Sequence, residues 1–114
     1  MKIDKSLISG STTMLILKLL NSSDMYGYQM IDELERRSEN VFTLKAGTLY
    51  PLLHNLENQG MVECYEQVSE SERARKYYRI TKRGKKLFEE KKSEWITYTF
   101  TVNQVLGGSN YALD

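Results

Sequence analysis

The hydrophobic period of this chain changes twice, and that limits its architecture more than any other feature. Helical spacing runs up to Gly60, alternation takes over between Met61 and Ile80, and helical spacing resumes at Lys82. Side chains repeat every 3.6 residues on a helix and every two on a strand, so one element type cannot serve both patterns. In Met61–Val68 the alternation puts Val62, Cys64 and Val68 on one face, and in Lys76–Ile80 it pairs Tyr78 with Ile80. A polar loop, Ser69 to Arg75, joins the two runs. The chain must therefore build helices, then a hairpin, then a helix.

Three helices are expected before the hairpin. The first covers residues 7–20, with Ile8, Leu15 and Leu19 in one stripe and Met14, Ile16, Leu17 and Leu20 filling most of the rest. Such a helix is buried nearly all round. Asn21 to Asp24 forms a polar break that can cap a second helix, Met25 to Arg37, whose apolar positions are Tyr26, Met30, Ile31 and Leu34. Gly27 costs about 1 kcal/mol inside a helix, so a close helix–helix approach is its expected reason. Val41 to Leu44 is a short β-prone piece.

The third helix spans Ala46 to Gln59 and stops at Gly60, which suits a left-handed terminus. Leu49, Leu52, Leu53 and Leu56 form its core stripe. Pro51 fits the first turn, where the amide it lacks would be orphaned anyway, so this helix should start near Gly47. Thr81 can cap a last helix from Lys82 to Leu106, closed by Gly107 and Gly108.

With 114 residues there is material for one modest core. The fold class expected is mainly α with a two-stranded β-hairpin. It is a winged helix-turn-helix over residues 1–80, followed over 81–114 by a dimerisation helix and tail, the two forming one compact unit. Charged residues make up 27% and apolar ones 40%, the balance of an ordinary soluble protein. The longest apolar stretch, Met14 to Leu20, is interrupted by Lys18 and cannot span a bilayer. No signal-peptide pattern leads the chain, so a cytoplasmic location and no membrane partner are expected.

Cys64 and His54 are single, which leaves no disulfide framework and no zinc site of Cys and His ligands within one chain. No metal or cofactor is expected, and a nucleophile–His pair lacks the glycine context of a strand-to-helix elbow. An enzyme is therefore not expected. Net charge is only +1, but eight of the 16 Lys and Arg fall between Arg73 and Lys86 with no acidic residue among them. A local basic run in a nearly neutral protein points to an anionic partner.

Tyr26-Gly27-Tyr28-Gln29-Met30, Gly47-Thr48-Leu49-Tyr50-Pro51-Leu52-Leu53, Leu56-Glu57 and Gly60-Met61-Val62 stand in order along the chain. They are followed by Arg73-x-Arg75-Lys76-Tyr77-Tyr78-Arg79-Ile80-Thr81-x-x-Gly84. Together, over about residues 8 to 105, they resemble the PadR family of bacterial transcriptional regulators, in its shorter subgroup with one C-terminal helix. The resemblance implies a homodimeric regulator, a repressor in the simplest case, on double-stranded DNA with an inverted-repeat operator. It also implies that Thr48, Tyr50 and Pro51 belong to the recognition helix.

The residues agree with that implication. Opposite the leucine stripe, Thr48, Tyr50, His54, Asn55 and Asn58 supply donors and acceptors without a carboxylate, and Lys45 can reach a phosphate. A plain solvated helix face is the other reading of the same pattern. Arg73, Arg75 and Lys76 stand at the hairpin's return, where a wing grips phosphate, although Glu70 and Glu72 near the tip oppose deep minor-groove entry. A solvated charge run is the alternative.

Phe88, Trp95 and Val102 recur every seven residues, with Tyr98 and Val105 at the complementary positions and Lys91 a defect between them. Little protein remains in the same chain to cover this stripe, so it is read as dimer core. Trp95 and Tyr98 could also bind a small aromatic effector, since the resemblance implies an aromatic at that place lining a ligand cavity in several relatives. A packed dimer-core Trp is the plainer reading. Cys64 reads as a small buried hydrophobe. The rival function, from another class, is a winged-helix protein-interaction module that does not bind DNA.

Overall fold

The computed structural model describes residues 2–68, 71 and 73–108. Its elements are α1 (Lys5–Ser9), α2 (Thr12–Ser22), β1 (Met25–Tyr26), α3 (Gly27–Arg37), α4 (Ala46–Asn58), β2 (Val62–Val68), β3 (Ala74–Ile80) and α5 (Lys82–Leu106). This is the winged helix-turn-helix expected from the sequence, with one strand and one short helix more.

The expected first helix is broken in two at Gly10–Ser11. The Ile8 carbonyl accepts from the Ser11 amide, the Ser11 hydroxyl and the Thr12 hydroxyl, each at 3.0 Å, and this local competition turns the chain. Beyond the turn, α2 buries Ile16, Leu17, Leu19 and Leu20 and leaves Lys18 exposed.

The expected second helix loses its first two residues to the sheet. Met25 pairs with Tyr78 and Tyr26 with Tyr77, giving a three-stranded antiparallel sheet in the order β1-β3-β2 where a two-stranded hairpin was expected. A two-residue strand is too short to show a period, so only the proximity of β3's open edge produces it. Tyr26 then caps α3 from an extended conformation, and its amide donates to Gln29 Oε1 at 3.0 Å. Val41 to Phe42 and Thr43 to Leu44 form no strand; Leu44 is buried and Phe42 packs on the core, which anchors the connection without a ladder.

Leu49, Leu53 and Leu56 of α4 are buried, and the helix closes at Gly60 with φ +77° as its Met61 amide reaches back to the Leu56 carbonyl at 2.8 Å. Since α4 begins at Ala46, Pro51 sits in the second turn and not the first. The partner this proline cannot offer is that of the Gly47 carbonyl, and Gly47 is exposed, so water can take the bond.

β2 and β3 pair from Val62–Ile80 to Val68–Ala74. Val62, Tyr78 and Ile80 are buried at the root, but Val68, expected on the same apolar face, is 63% exposed because the hairpin outruns the core. Thr81 donates to the Gly60 carbonyl at 2.7 Å and accepts from the Gly84 amide at 3.0 Å, tying the end of α4 to the start of α5. A Cβ at Gly84 would strike the Met61 carbonyl and lie 2.8 Å from Ile80 Cγ1, so α5 can leave the sheet only through a glycine here.

The apolar stripe of α5 divides. Phe88 is 4% exposed within its own chain, packed in the core formed by α2, α4 and the sheet. This corrects its assignment to the dimer seam: the first turns of α5 dock on α2 and leave Phe88 nothing to offer a partner. Trp95, Tyr98 and Val105 stay exposed, Val105 at 84%, with Val102 half-buried.

Two outcomes follow from this packing. Gly84→Ala should cost about 1–3 kcal/mol of unfolding free energy through overpacking, while Gly47→Ala, which meets nothing within 4 Å, should cost none. Chemical denaturation of the two variants checks this; equal midpoints would show that the Met61–Gly84 approach is not tight. Separately, burial with Cys64 alongside pushes the Tyr78 hydroxyl up to about 12. A raised folded value means the stabilisation is complete below the unfolded tyrosine value of about 10 and is lost as pH climbs through about 12. Tyr78→Phe should therefore flatten the alkaline loss of stability in that window, as read by melts at successive pH values.

Candidate nucleic-acid interface

The leucine stripe of α4 turns the opposite face outward. Thr48, Tyr50, Pro51, His54, Asn55 and Asn58 are all exposed. The helix has one carboxylate, Glu57, and it lies on the hairpin side, close enough to act electrostatically on Cys64 and Tyr78. Lys45 is exposed at the N-cap position, where its carbonyl accepts from the Thr48 and Leu49 amides at 3.0 Å each. The outer face is thus neutral and rich in hydrogen-bonding groups, with a cation at its start.

Tyr50 is held in a defined place. Its ring lies against Gly27, where a Cβ would collide with the Tyr50 hydroxyl and come within 2.6 Å of Cζ. The close approach expected at Gly27 is therefore made, by a side chain of α4 crossing the first turn of α3. Burial raises the Tyr50 hydroxyl above the ordinary tyrosine value, Tyr28 adds to this and Arg75 opposes it. The hydroxyl stays protonated, able to donate and accept, with Tyr28 and Arg75 as electrostatic neighbours.

The wing residues do not form one patch. Consecutive strand residues point to opposite faces, so Arg75 and Lys76 part company. Lys76 is exposed opposite Glu66 in the ladder, and Arg73 is exposed before β3 begins. Arg75 is half-buried, with its guanidinium 4.4 Å from the centre of the Tyr26 ring. Arg79 is committed as well, 3.1 Å from Glu63 and 5.1 Å from the Tyr65 ring centre. Lys82, Lys85 and Lys86 are exposed on α5. The basic run is thus divided between two sheet faces and a helix. Glu70 and Glu72, expected to oppose groove entry, lie outside the described residues.

Sequence reasoning missed the aromatic face behind the wing. Tyr26, Tyr77 and Tyr65 stand side by side across the three strands, with centroid separations of 5.4 Å and 5.8 Å. The Tyr65 hydroxyl donates to Asp24 Oδ2 at 2.6 Å, and that bond holds the Tyr65 proton more tightly. The alternation of Tyr65 with Gln67 and of Arg75 with Tyr77 was the signal, but the core-facing residues drew the reading.

A concavity of about 440 Å³ lies between α1 and α5, lined by Leu7, Met14, Lys91, Glu94, Trp95 and Tyr98. The Trp95 and Tyr98 rings are 6.3 Å apart at 41°. Lys91, read as a defect of the seam, forms part of this wall. Among the described residues no three His, Cys, Asp or Glu come together to hold a metal, and no helix is long and apolar enough to cross a membrane.

Comparison with known proteins agrees with this geometry. An uncharacterised protein of Lysinibacillus sphaericus is 37% identical over 89 residues, 78% of this chain and 82% of its own. The solved structure of a transcriptional regulator from Clostridium thermocellum superposes with a TM-score of 0.81 at 31% identity, covering 88% of this chain and 97% of that one. A PadR-like transcriptional regulator from Bacillus cereus gives 0.80 at 28% identity, covering 92% and 100%. The model of the transcriptional regulator PadR-like family matches residues 16–90, from α2 into the first turns of α5. With its winged helix, its exposed carboxylate-free helix face and this match over most of its length, the chain belongs to the PadR-like family of transcriptional regulators, which are not enzymes.

Proposed function

We propose that the protein is a homodimeric repressor that binds an inverted-repeat operator in double-stranded DNA and is released by a small aromatic effector. The observation that carries the reading is the exposed face of α4, polar and free of carboxylate, with Lys45 at its start and Arg75 beside Tyr50. Laid in the major groove, α4 offers Thr48, Tyr50, His54 and Asn55 to base edges, with Pro51 shaping its entry, while Lys45, Arg73, Arg75 and Lys76 meet backbone phosphate. Repression follows from occupancy of a promoter.

Dimerisation runs through the free part of the α5 stripe: Trp95, Tyr98, Val102 and Val105. Support comes from the exposure of Trp95, Tyr98 and Val105 in a single chain, with Val102 half-buried between them, since an apolar stripe on a helix needs cover. The effector site is the concavity at Trp95 and Tyr98, where flat aromatic surface meets the Lys91 and Glu94 side chains. Two recognition helices must stand about 34 Å apart to reach successive major grooves, so a ligand that resets the α5 pair misplaces one of them. Its effect is limited by its preference for the DNA-incompetent dimer.

Tyr50→Ala or His54→Ala should reduce discrimination between operator and random duplex by about 1–3 kcal/mol, measured by fluorescence anisotropy. Lys76→Ala should weaken both equally and lower the salt slope. Tight binding to a protein partner with no salt-sensitive duplex binding would instead support an interaction module. Val102→Glu with Val105→Glu should give folded monomers in sedimentation, because both side chains lie outside the chain's own core. Planar aromatic compounds should quench the single Trp saturably and release operator DNA; quenching with DNA affinity unchanged would reduce Trp95 to dimer core.

A further inference from the structure

We propose that the open cavity between the first turn of α3 and the wing is a phosphate site, in which Tyr26 positions Arg75 against one phosphate of the DNA backbone. This rests on the reading of the protein as a DNA-binding regulator and adds a site and a positioning residue to it.

The cavity encloses about 590 Å³ and is lined by Tyr26, Gln29, Gln67, Ser71, Arg75 and Tyr77. Among the described residues its wall has one formal charge, the Arg75 guanidinium, and no carboxylate. Arg75 Nε is buried and meets no acceptor. That N–H has no surface for an outside acceptor to reach, so any bond to a ligand falls to the two Nη groups of the half-buried side chain. The guanidinium lies 4.4 Å from the Tyr26 ring centre. Stacking occupies the face of a guanidinium and leaves its Nη donors, which lie in its plane, available for a bidentate grip on phosphate oxygens. Gln29 spends its carbonyl oxygen on the Tyr26 amide, so what it has left for a ligand is its NH₂, a donor. The available chemistry therefore favours an oxyanion.

Tyr26 does not need to touch the ligand to matter. Its ring meets Tyr77 edge-on at 82°, Tyr77 stacks on Tyr65 at 19°, and Tyr65 is bonded to Asp24. This row fixes the platform from three strands at once, and with it the place of Arg75. Tyr50 of α4 is near enough to feel the Arg75 charge, so the cavity adjoins the helix that reads bases. An open groove of this volume beside α4 suits a backbone passing through better than a closed pocket suits a free metabolite, although inorganic phosphate has the same chemistry.

Anisotropy of a labelled random duplex, titrated at several salt concentrations, tests the proposal. Arg75→Ala should reduce the log–log salt slope by about 0.9, the loss of one neutralised phosphate. Tyr26→Leu should lower the slope in the same direction, Tyr26→Phe should restore it, and Tyr26→Leu should add nothing in an Arg75→Ala background. Melting curves of each variant report folding separately, and Tyr26→Phe keeps the test open if Tyr26→Leu unfolds. An unchanged slope in Arg75→Ala, or additive losses from Tyr26→Leu, overturns the site. Thermal stabilisation by millimolar inorganic phosphate that depends on Arg75, with the duplex slope unchanged, would make it a free-anion site and overturn the backbone assignment. If the wild-type chain shows no salt-sensitive duplex binding, the regulator reading fails first, whereas a wild type that binds and an Arg75→Ala that behaves identically removes this site alone.

Discussion

Two short backbone pairings, Met25 with Tyr78 and Tyr26 with Tyr77, hold the reading head of this protein together. They make β3 the central strand, and a central strand has both edges occupied and both faces in use. Its inner face gives Tyr78 and Ile80 to the core, its outer face gives Arg75 and Tyr77 to the aromatic row, and β1 hands the chain directly to α3. Without β1 the hairpin would be attached only at the root, through the burial of Val62, Tyr78 and Ile80, Thr81 and the Met61–Gly84 approach. A two-stranded ribbon alone is marginal in water, so the third strand is what lets a wing that outruns the core keep a defined angle to α4.

The core is shared rather than owned by the winged helix. α2 is buried on most sides by α3, the sheet and α5, and Phe88 closes it from the far side. The start of α5 thus belongs to the DNA-binding head in packing terms, while its last three turns leave the core behind. That division is mechanically useful. The proposed resetting of α5 by an effector would act on the exposed half of a continuous helix whose first turns share the core with α4. Close-packed interiors pass displacement on rather than absorb it.

The legible parts of the chain were those where local chemistry and tertiary demand coincide. Gly60 ends α4 and Thr81 starts α5 because a left-handed residue and a hydroxyl cap act over three or four residues. The α4 face could be read because four leucines define its opposite. Other features were not legible in this way. The loss of Met25 and Tyr26 from α3 depends on the open edge of β3 some fifty residues later, whereas the break at Gly10–Ser11 is local but turns on hydroxyl bonds to one carbonyl that a hydrophobic period does not report. Arg75 was read as a phosphate ligand from its charge, and nothing in the sequence said that it would lie on a tyrosine.

The sequence by itself determined the succession of periods, the helix boundaries with capping chemistry, the polar face of α4 and the family to which the motifs belong. The first three follow from residues within a few positions of one another, and the family from short motifs standing in order along the chain. Tertiary structure alone decided that the sheet has three strands, that Phe88 is spent inside its own chain, and that the basic run is split between faces. The physical reason is common to all three. Strand pairing, burial and side-chain facing depend on which distant surfaces meet, and a periodic pattern states that a face is apolar without stating what will cover it.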